Sequence, residues 1–301
     1  MTDRRRFITT SAAASAAAIG SIWLPRPAVA LDVDNPFRRD IGIQLYTLRD
    51  AIADDPMATL RRVAEIGYRQ VESYGFPDCD PILAAADAAG LPVRSSHFNS
   101  DDLVSQDDLD SFKPILDKAN RIGLSHLVIP YISDNVRASL DDYRRICERC
   151  NRAAESAETA GITLAYHNHA FEFEPMGDAE GDTGSTRGYD IMVDQFDAAM
   201  KFEVDVFWVQ VAGVDPISLM DKLDGRISQL HLKDLADDIA IPTYNGIALE
   251  AFKEIGNGVV AIESIMDKAA RIGVDHCHVE QDHSPHPIDS IETSFQAIAA
   301  M

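Results

Sequence analysis

A strand-type apolar run, then an amphipathic helix closed by glycine, recurs along this chain from about residue 41 to its end, and this repeat constrains the fold most. Strand-type runs fall at 41–46, 69–73, 92–97, 126–130, 162–167, 201–205, 227–231 and 275–280. Between them, 57–66 stops at Gly67, 82–89 at Gly90, 112–122 at Gly123, 144–160 at Gly161 and 261–272 at Gly273. A glycine just past a helix takes the left-handed conformation that ends it. A strand following each one within a few residues makes βα units and a parallel sheet. Eight strands of this kind close a barrel. The sequence therefore predicts an α/β protein, a single-domain (β/α)8 TIM barrel.

The first thirty residues stand outside that repeat. Arg4, Arg5 and Arg6 precede Phe7, a small apolar stretch runs to about Leu24, and Ala28 and Ala30 offer a cleavage site before Leu31. This pattern reads as a twin-arginine signal peptide over 1–30, which predicts a barrel over 31–301 and a periplasmic protein. The stretch is too short and too rich in Ala and Ser for a membrane anchor, so none is expected after processing.

The 301 residues carry a formal net charge of −22, which becomes −25 once the leader's four Arg and one Asp are removed. So negative a surface repels phosphate backbones and argues against a nucleic-acid partner. Of the four cysteines, only Cys147 and Cys150 have motif-like spacing. They fall in a strongly helical segment with no turn or further ligand beside them, so they read as buried helix residues. A Gly/Asp-rich loop at 175–190 and a long connection at 234–258 follow the fifth and seventh strands, and both would overhang the face where barrel enzymes keep their chemistry.

Three strand runs end on a metal-type ligand: Asp205, His231 and Glu280, spaced 26 and 49 residues apart. Two carboxylates and an imidazole suit a divalent ion such as Mn, Co, Zn, Fe or Mg. They converge only if their strands are parallel neighbours. A fourth ligand should come from the fifth strand, where His167 is the first choice and His169 and Glu172 are rivals. Other strand tips supply Glu72, His97 and, one inward step past His231, Lys233. A lysine there can hold the negative charge of an enolate or, with a lowered pKa, move a proton. Trp208 could form an apolar platform for a sugar face, and His169 could contact a substrate hydroxyl.

The segments Gly42-Ile-Gln-Leu-Tyr-Thr-Leu-Arg-Asp50, Gly67-Tyr-Arg-Gln-Val-Glu72, Tyr166-His-Asn-His169, Val204-Asp205, Leu230-His-Leu-Lys-Asp234 and Val279-Glu-Gln-Asp282 resemble the sugar phosphate isomerase/epimerase superfamily, the xylose isomerase-like TIM barrels. The resemblance runs from about residue 40 to the C-terminus. It implies a metal set of Glu, Asp, His and Glu from strands five to eight; Asp205, His231 and Glu280 match, and His167 stands where the first Glu is expected. In ketose epimerases of this kind, two metal-bound glutamates act on opposite substrate faces. With His167 in one position, Glu280 serves one face, and another group, from Glu72, His97 or Lys233, must serve the other. A metal-bound imidazole has no free lone pair with which to act as a base.

The expected activity is a divalent-metal-dependent isomerase or epimerase acting through an enediolate on a sugar or keto-sugar. Its catalytic residues would be Glu280, Lys233 and Glu72, with His97, His169, Trp208 and Glu172 binding substrate. A 3-keto-glycoside lyase or hydratase on the same site is the alternative, and a non-catalytic sugar-binding barrel is a third reading. Cleavage of abasic DNA, suggested by shared fold, needs three metals and a basic face. The sequence leaves the oligomeric state open, and a homo-oligomer is compatible with it.

Overall fold

The structure is a computed structural model that describes residues 34–177 and 186–301. Strands β1 (Gly42–Gln44), β2 (Gln70–Phe76), β3 (Val93–Phe98), β4 (His126–Ile129), β5 (Thr163–His167), β6 (Met200–Asp205) and β7 (Ile227–Leu232) follow one another in the chain. Two short strands, β8 (Asp234–Leu235) and β9 (Phe252–Lys253), come next, and β10 (His276–Val279) is last. The closed barrel runs β1-β10-β7-β6-β5-β4-β3-β2, all neighbours parallel. All eight expected strands are present. Helices at Pro56–Ile66, Asp80–Ala89, Phe112–Ile122, Leu140–Thr159 and Ile262–Ile272 match the expected ones, and the five helix-stop glycines all have positive φ.

Two boundaries differ in ways that matter. β2 does not end at Glu72 but continues to Phe76, with an irregular register against β3 between Ser73 and Phe76. Glu72 therefore sits inside the barrel rather than at its rim. The connection after β7 carries β8 and β9 as an antiparallel pair. Asp234 pins this segment: its Oδ1 accepts from the backbone N–H groups of Leu235 and Val260, both at 2.9 Å, and its Oδ2 from those of Gly256 at 2.9 Å and Gly258 at 3.0 Å. A Cβ at Gly258 would meet Asp234 Oδ1 at 2.4 Å, so the close approach needs glycine there.

The apolar core lies outside the barrel wall, where helices cover the strands. Inside, the filling is polar. Gln44, Glu72, Ser95, His97, His167, Glu203, Asp205, Gln229, His231, Lys233, His278 and Glu280 are all buried. Barrel interiors are more often layered with Val, Ile and Leu. Here side chains two apart on a strand share the inward face, so Glu203 lies behind Asp205, Gln229 behind His231 and His278 behind Glu280. Gly42 makes room for this filling, because a Cβ there would lie 2.3 Å from the His278 ring. Cys79, Cys147, Cys150 and Cys277 are all free and buried. The signal-peptide reading lies outside the described residues, as does part of the 175–190 loop. Among the described residues, no helix is long and apolar enough to cross a membrane.

Candidate metal centre and active site

A cavity of about 420 Å³ opens where the strands end. It is lined by Tyr46 after β1, Tyr74 and Gly75 of β2, His97, Phe98 and Asn99 at the end of β3, Pro130 and Tyr131 after β4, His167 and His169 at the end of β5, and Glu280 and Asp282 after β10. Tyr46 and Tyr131 are exposed at its rim, at 43% and 42%.

At the floor, His167, Asp205, His231 and Glu280 each offer a ligand atom, and these atoms all lie within 4.8 Å of one another. Parallel register brings them together: Asp205 aligns with His231 across β6 and β7, and His231 with His278, two residues before Glu280, across β7 and β10. His231 Nδ1 lies 2.7 Å from Glu280 Oε2, and His167 Nε2 lies 3.8 Å from Asp205 Oδ2. Asp205 Oδ2, His231 Nδ1 and Glu280 Oε2 are in ion-pair contact but have no hydrogen bond of acceptable geometry. Buried donor atoms left without hydrogen bonds fit the place of an ion. The rivals His169 and Glu172 belong to none of the metal-type groups among the described residues.

Lys233 completes the floor. Its Nζ lies 2.9 Å from Asp205 Oδ2, 2.7 Å from Glu280 Oε2 and 3.0 Å from both Asp282 carboxylate oxygens. Burial alone would depress the ammonium, but Asp205, Asp282 and Glu280 hold it well above the usual lysine range. Lys233 is thus a fixed positive charge rather than a base. Burial would raise the Glu280 carboxyl, but Lys233 and His231 draw it well below its usual value. Burial lifts Asp205 to about 6, with Lys233 and His231 opposing. Burial would lower His97, yet Glu72 and Glu203 raise it to about 9. His169 is pushed down to about 3 by burial and by the Lys233 charge.

The remaining predicted residues are placed differently. Glu72, Glu172 and Trp208 are not among the residues lining the cavity; nor are Asp205, His231 and Lys233, but these three touch the lining residues His167 and Glu280. Glu72 is enclosed by Gln44, Ser95 and His231. Glu172 accepts from Tyr166 Oη at 2.6 Å and from the His169 backbone N–H at 2.9 Å, so it shapes the turn that carries His169. Burial raises its carboxyl to about 7. Trp208 packs with its ring 5.5 Å from His169 and 5.9 Å from Phe252, as a wall behind His169. His97 and His169 both reach the cavity.

Glu203 was missed by the sequence reading. It is fully buried on β6, accepts from Gln229 Nε2 at 3.0 Å, and pairs with His97 Nε2 at 2.9 Å. The available signal was its two-residue spacing from Asp205, which puts both on one strand face. Counting it, five carboxylates, Glu72, Glu203, Asp205, Glu280 and Asp282, surround three cationic groups, Lys233, His97 and His231. That surplus of negative charge suits a divalent cation.

Residues 60–301 match the family model for xylose isomerase-like TIM barrels, and the chain belongs to that family. A sugar phosphate isomerase/epimerase from Parabacteroides distasonis has a similar structure, with a TM-score of 0.68 and 24% identity, over 91% of this chain and 99% of that one. So does the 3-keto-D-glucoside 4-epimerase YcjR of E. coli, with a TM-score of 0.60 and 14% identity, over 87% and 99%. An inosose dehydratase of Lacticaseibacillus casei is 22% identical over 165 residues, 52% of this chain and 53% of that protein. The match thus spans about half the length of that relative. These similar proteins are thus named as an isomerase/epimerase, an epimerase and a dehydratase.

Replacing Lys233 with Met should lower turnover about 10²- to 10³-fold by removing a preorganised charge, while divalent-ion affinity is kept or increased. Steady-state kinetics with ion titration checks this. A loss of ion binding would instead make Lys233 necessary to the metal floor.

Proposed function

We propose that the protein is a divalent-metal-dependent isomerase or epimerase of an uncharged sugar or keto-sugar. The observation that carries this reading is the four-residue donor set at the base of a cavity with polar and aromatic walls. His167, Asp205, His231 and Glu280 would hold the ion. When bound, it supplies Lewis-acid polarisation of a carbonyl and neighbouring hydroxyl. Glu280, at the cavity floor, accepts a carbon-bound proton from one face of the substrate. The Lys233 ammonium faces the negative charge that develops as that proton leaves. His97 and His169 bind hydroxyls, and Tyr46 and Tyr131 offer ring faces at the rim.

The Lys233 ammonium at the floor is held by Asp205, Glu280 and Asp282 rather than free for a phosphate, which favours a free sugar over a phosphorylated one. Export by the twin-arginine route belongs to the same proposal, and N-terminal sequencing of periplasmic protein should find Leu31 first. Elimination from the same enediolate, giving a lyase, is the second reading. It is supported by the similarity to the inosose dehydratase.

The test is exchange of a carbon-bound proton of keto-sugars with deuterated water by ion-loaded protein. Exchange with turnover supports the proposal; no exchange across a panel of keto-sugars would sink it. Ion affinity should also fall with acidity, because Asp205, raised to about 6, and His231, which Glu203 and Glu280 hold well above the usual histidine range, must each lose a proton to bind. Affinity should drop at least about tenfold per pH unit below pH 6 in Co²⁺ titrations, each displaced proton contributing one such factor.

A further inference from the structure

The barrel interior holds more ligand-type groups than one ion needs. Besides the strand-tip set, His97, His167, Glu203 and His231 form a second group, and Glu72, Glu203, His231 and His278 a third, each with its donor atoms within 4.8 Å. All three groups share His231, so one imidazole decides among them. A neutral imidazole has a proton on one nitrogen and a lone pair on the other.

The two nitrogens of His231 are not equivalent here. Nε2 makes a hydrogen bond of 2.7 Å to Glu72 Oε1. Nδ1, on the cavity side, lies 2.7 Å from Glu280 Oε2 without hydrogen-bond geometry. Glu72 is itself held: Gln44 Nε2 donates to its Oε1 at 2.7 Å and Ser95 Oγ donates to its Oε2. It is completely buried. An ionised carboxylate only accepts, so once an ion displaces the Nδ1 proton that faces Glu280, Glu72 keeps the remaining proton on Nε2 and leaves the lone pair on Nδ1.

We propose that Glu72 is a positioning residue: it locks His231 in the Nε2–H tautomer, reserves Nδ1 for the ion, and so restricts this interior to one divalent ion at the strand tips. The inference rests on the metal reading above. With Nε2 committed, both deeper groups lose the His231 ligand. Glu203 then acts as an acceptor, paired with His97 Nε2 at 2.9 Å and 3.2 Å from His167 Nδ1.

Co²⁺ titration of the full chain should give one ion per chain. Glu72→Leu, which removes the acceptor, should weaken binding about 10- to 100-fold. Glu72→Gln keeps an acceptor oxygen and the same shape, and should restore part of that loss. Long-range proton–nitrogen NMR of Zn²⁺-loaded wild-type protein should show His231 ligated through Nδ1, a readout independent of how well either variant folds. Wild-type affinity in both variants, two ions per chain, or ligation through Nε2 would overturn the role given to Glu72 while leaving the metal reading intact. Failure of the wild-type protein to bind Co²⁺ or Zn²⁺ would overturn both.

Discussion

Glu280→Gln is expected to reduce turnover by at least about 10³-fold and to weaken ion binding in the same protein, because one carboxylate is asked to serve both as ligand and as proton acceptor. Loss of a proton-transfer group alone costs about 10²- to 10⁴-fold. The carboxylate lies between His231 Nδ1 and Lys233 Nζ, each 2.7 Å from its Oε2. An amide of the same shape fills the space but cannot take a proton, and it offers a neutral oxygen to the ion. The two effects separate experimentally. Saturating ion should restore occupancy but not proton exchange, measured as deuterium uptake into a keto-sugar. Wild-type exchange in the variant would show that Glu280 takes no part in proton transfer.

The second large effect concerns stability. Asp234→Ala should destabilise the protein by about 3–5 kcal/mol, since four backbone donors lose one shared acceptor and those that stay buried have no replacement. All four contacts are 2.9 to 3.0 Å. They fix the chain from β8 to Val260, and through Phe252 they reach the wall behind the site, where Phe252 stacks on Phe207 at 4.6 Å and meets Trp208. Asn at the same position keeps one acceptor oxygen and should lose about half as much. Urea unfolding followed by circular dichroism measures both. An Ala variant within about 0.5 kcal/mol of wild type would mean that the loop is held by other contacts.

The barrel and its strand-tip residues were legible because each is written in a local pattern. Glycine after each helix marks the βα units, and Asp205, His231 and Glu280 end strands that chain order makes neighbours. Glu72 was misplaced for an equally local reason. The strand-type run reads as stopping at 73, which puts Glu72 near its tip, yet β2 runs on to Phe76. Glu203, Gln229 and His278 were hard to see because a polar residue inside a strand ordinarily faces water, whereas these point into a barrel with no solvent side. Asp234 ends a segment that carries the resemblance, but its anchoring role was not legible, since its four partners are backbone groups as distant as Val260. Lys233 was placed correctly, but its three carboxylate partners come from β6 and from beyond β10, and their joint effect on its charge exists only after closure.

The polar filling also bears on how the barrel finds its alignment. Side chains alternate across each strand, so sliding β6 by one residue would turn Glu203 and Asp205 toward the apolar helices and bring Phe202 and Val204 inward. The same slip in β7 would send Gln229, His231 and Lys233 outward. Each misalignment strands charge against an oily surface, a far heavier penalty than exchanging one aliphatic residue for another. The groups proposed to carry the chemistry therefore double as proofreading marks for strand registration, and a variant that neutralises several of them should close its barrel less accurately even if it closes it more tightly.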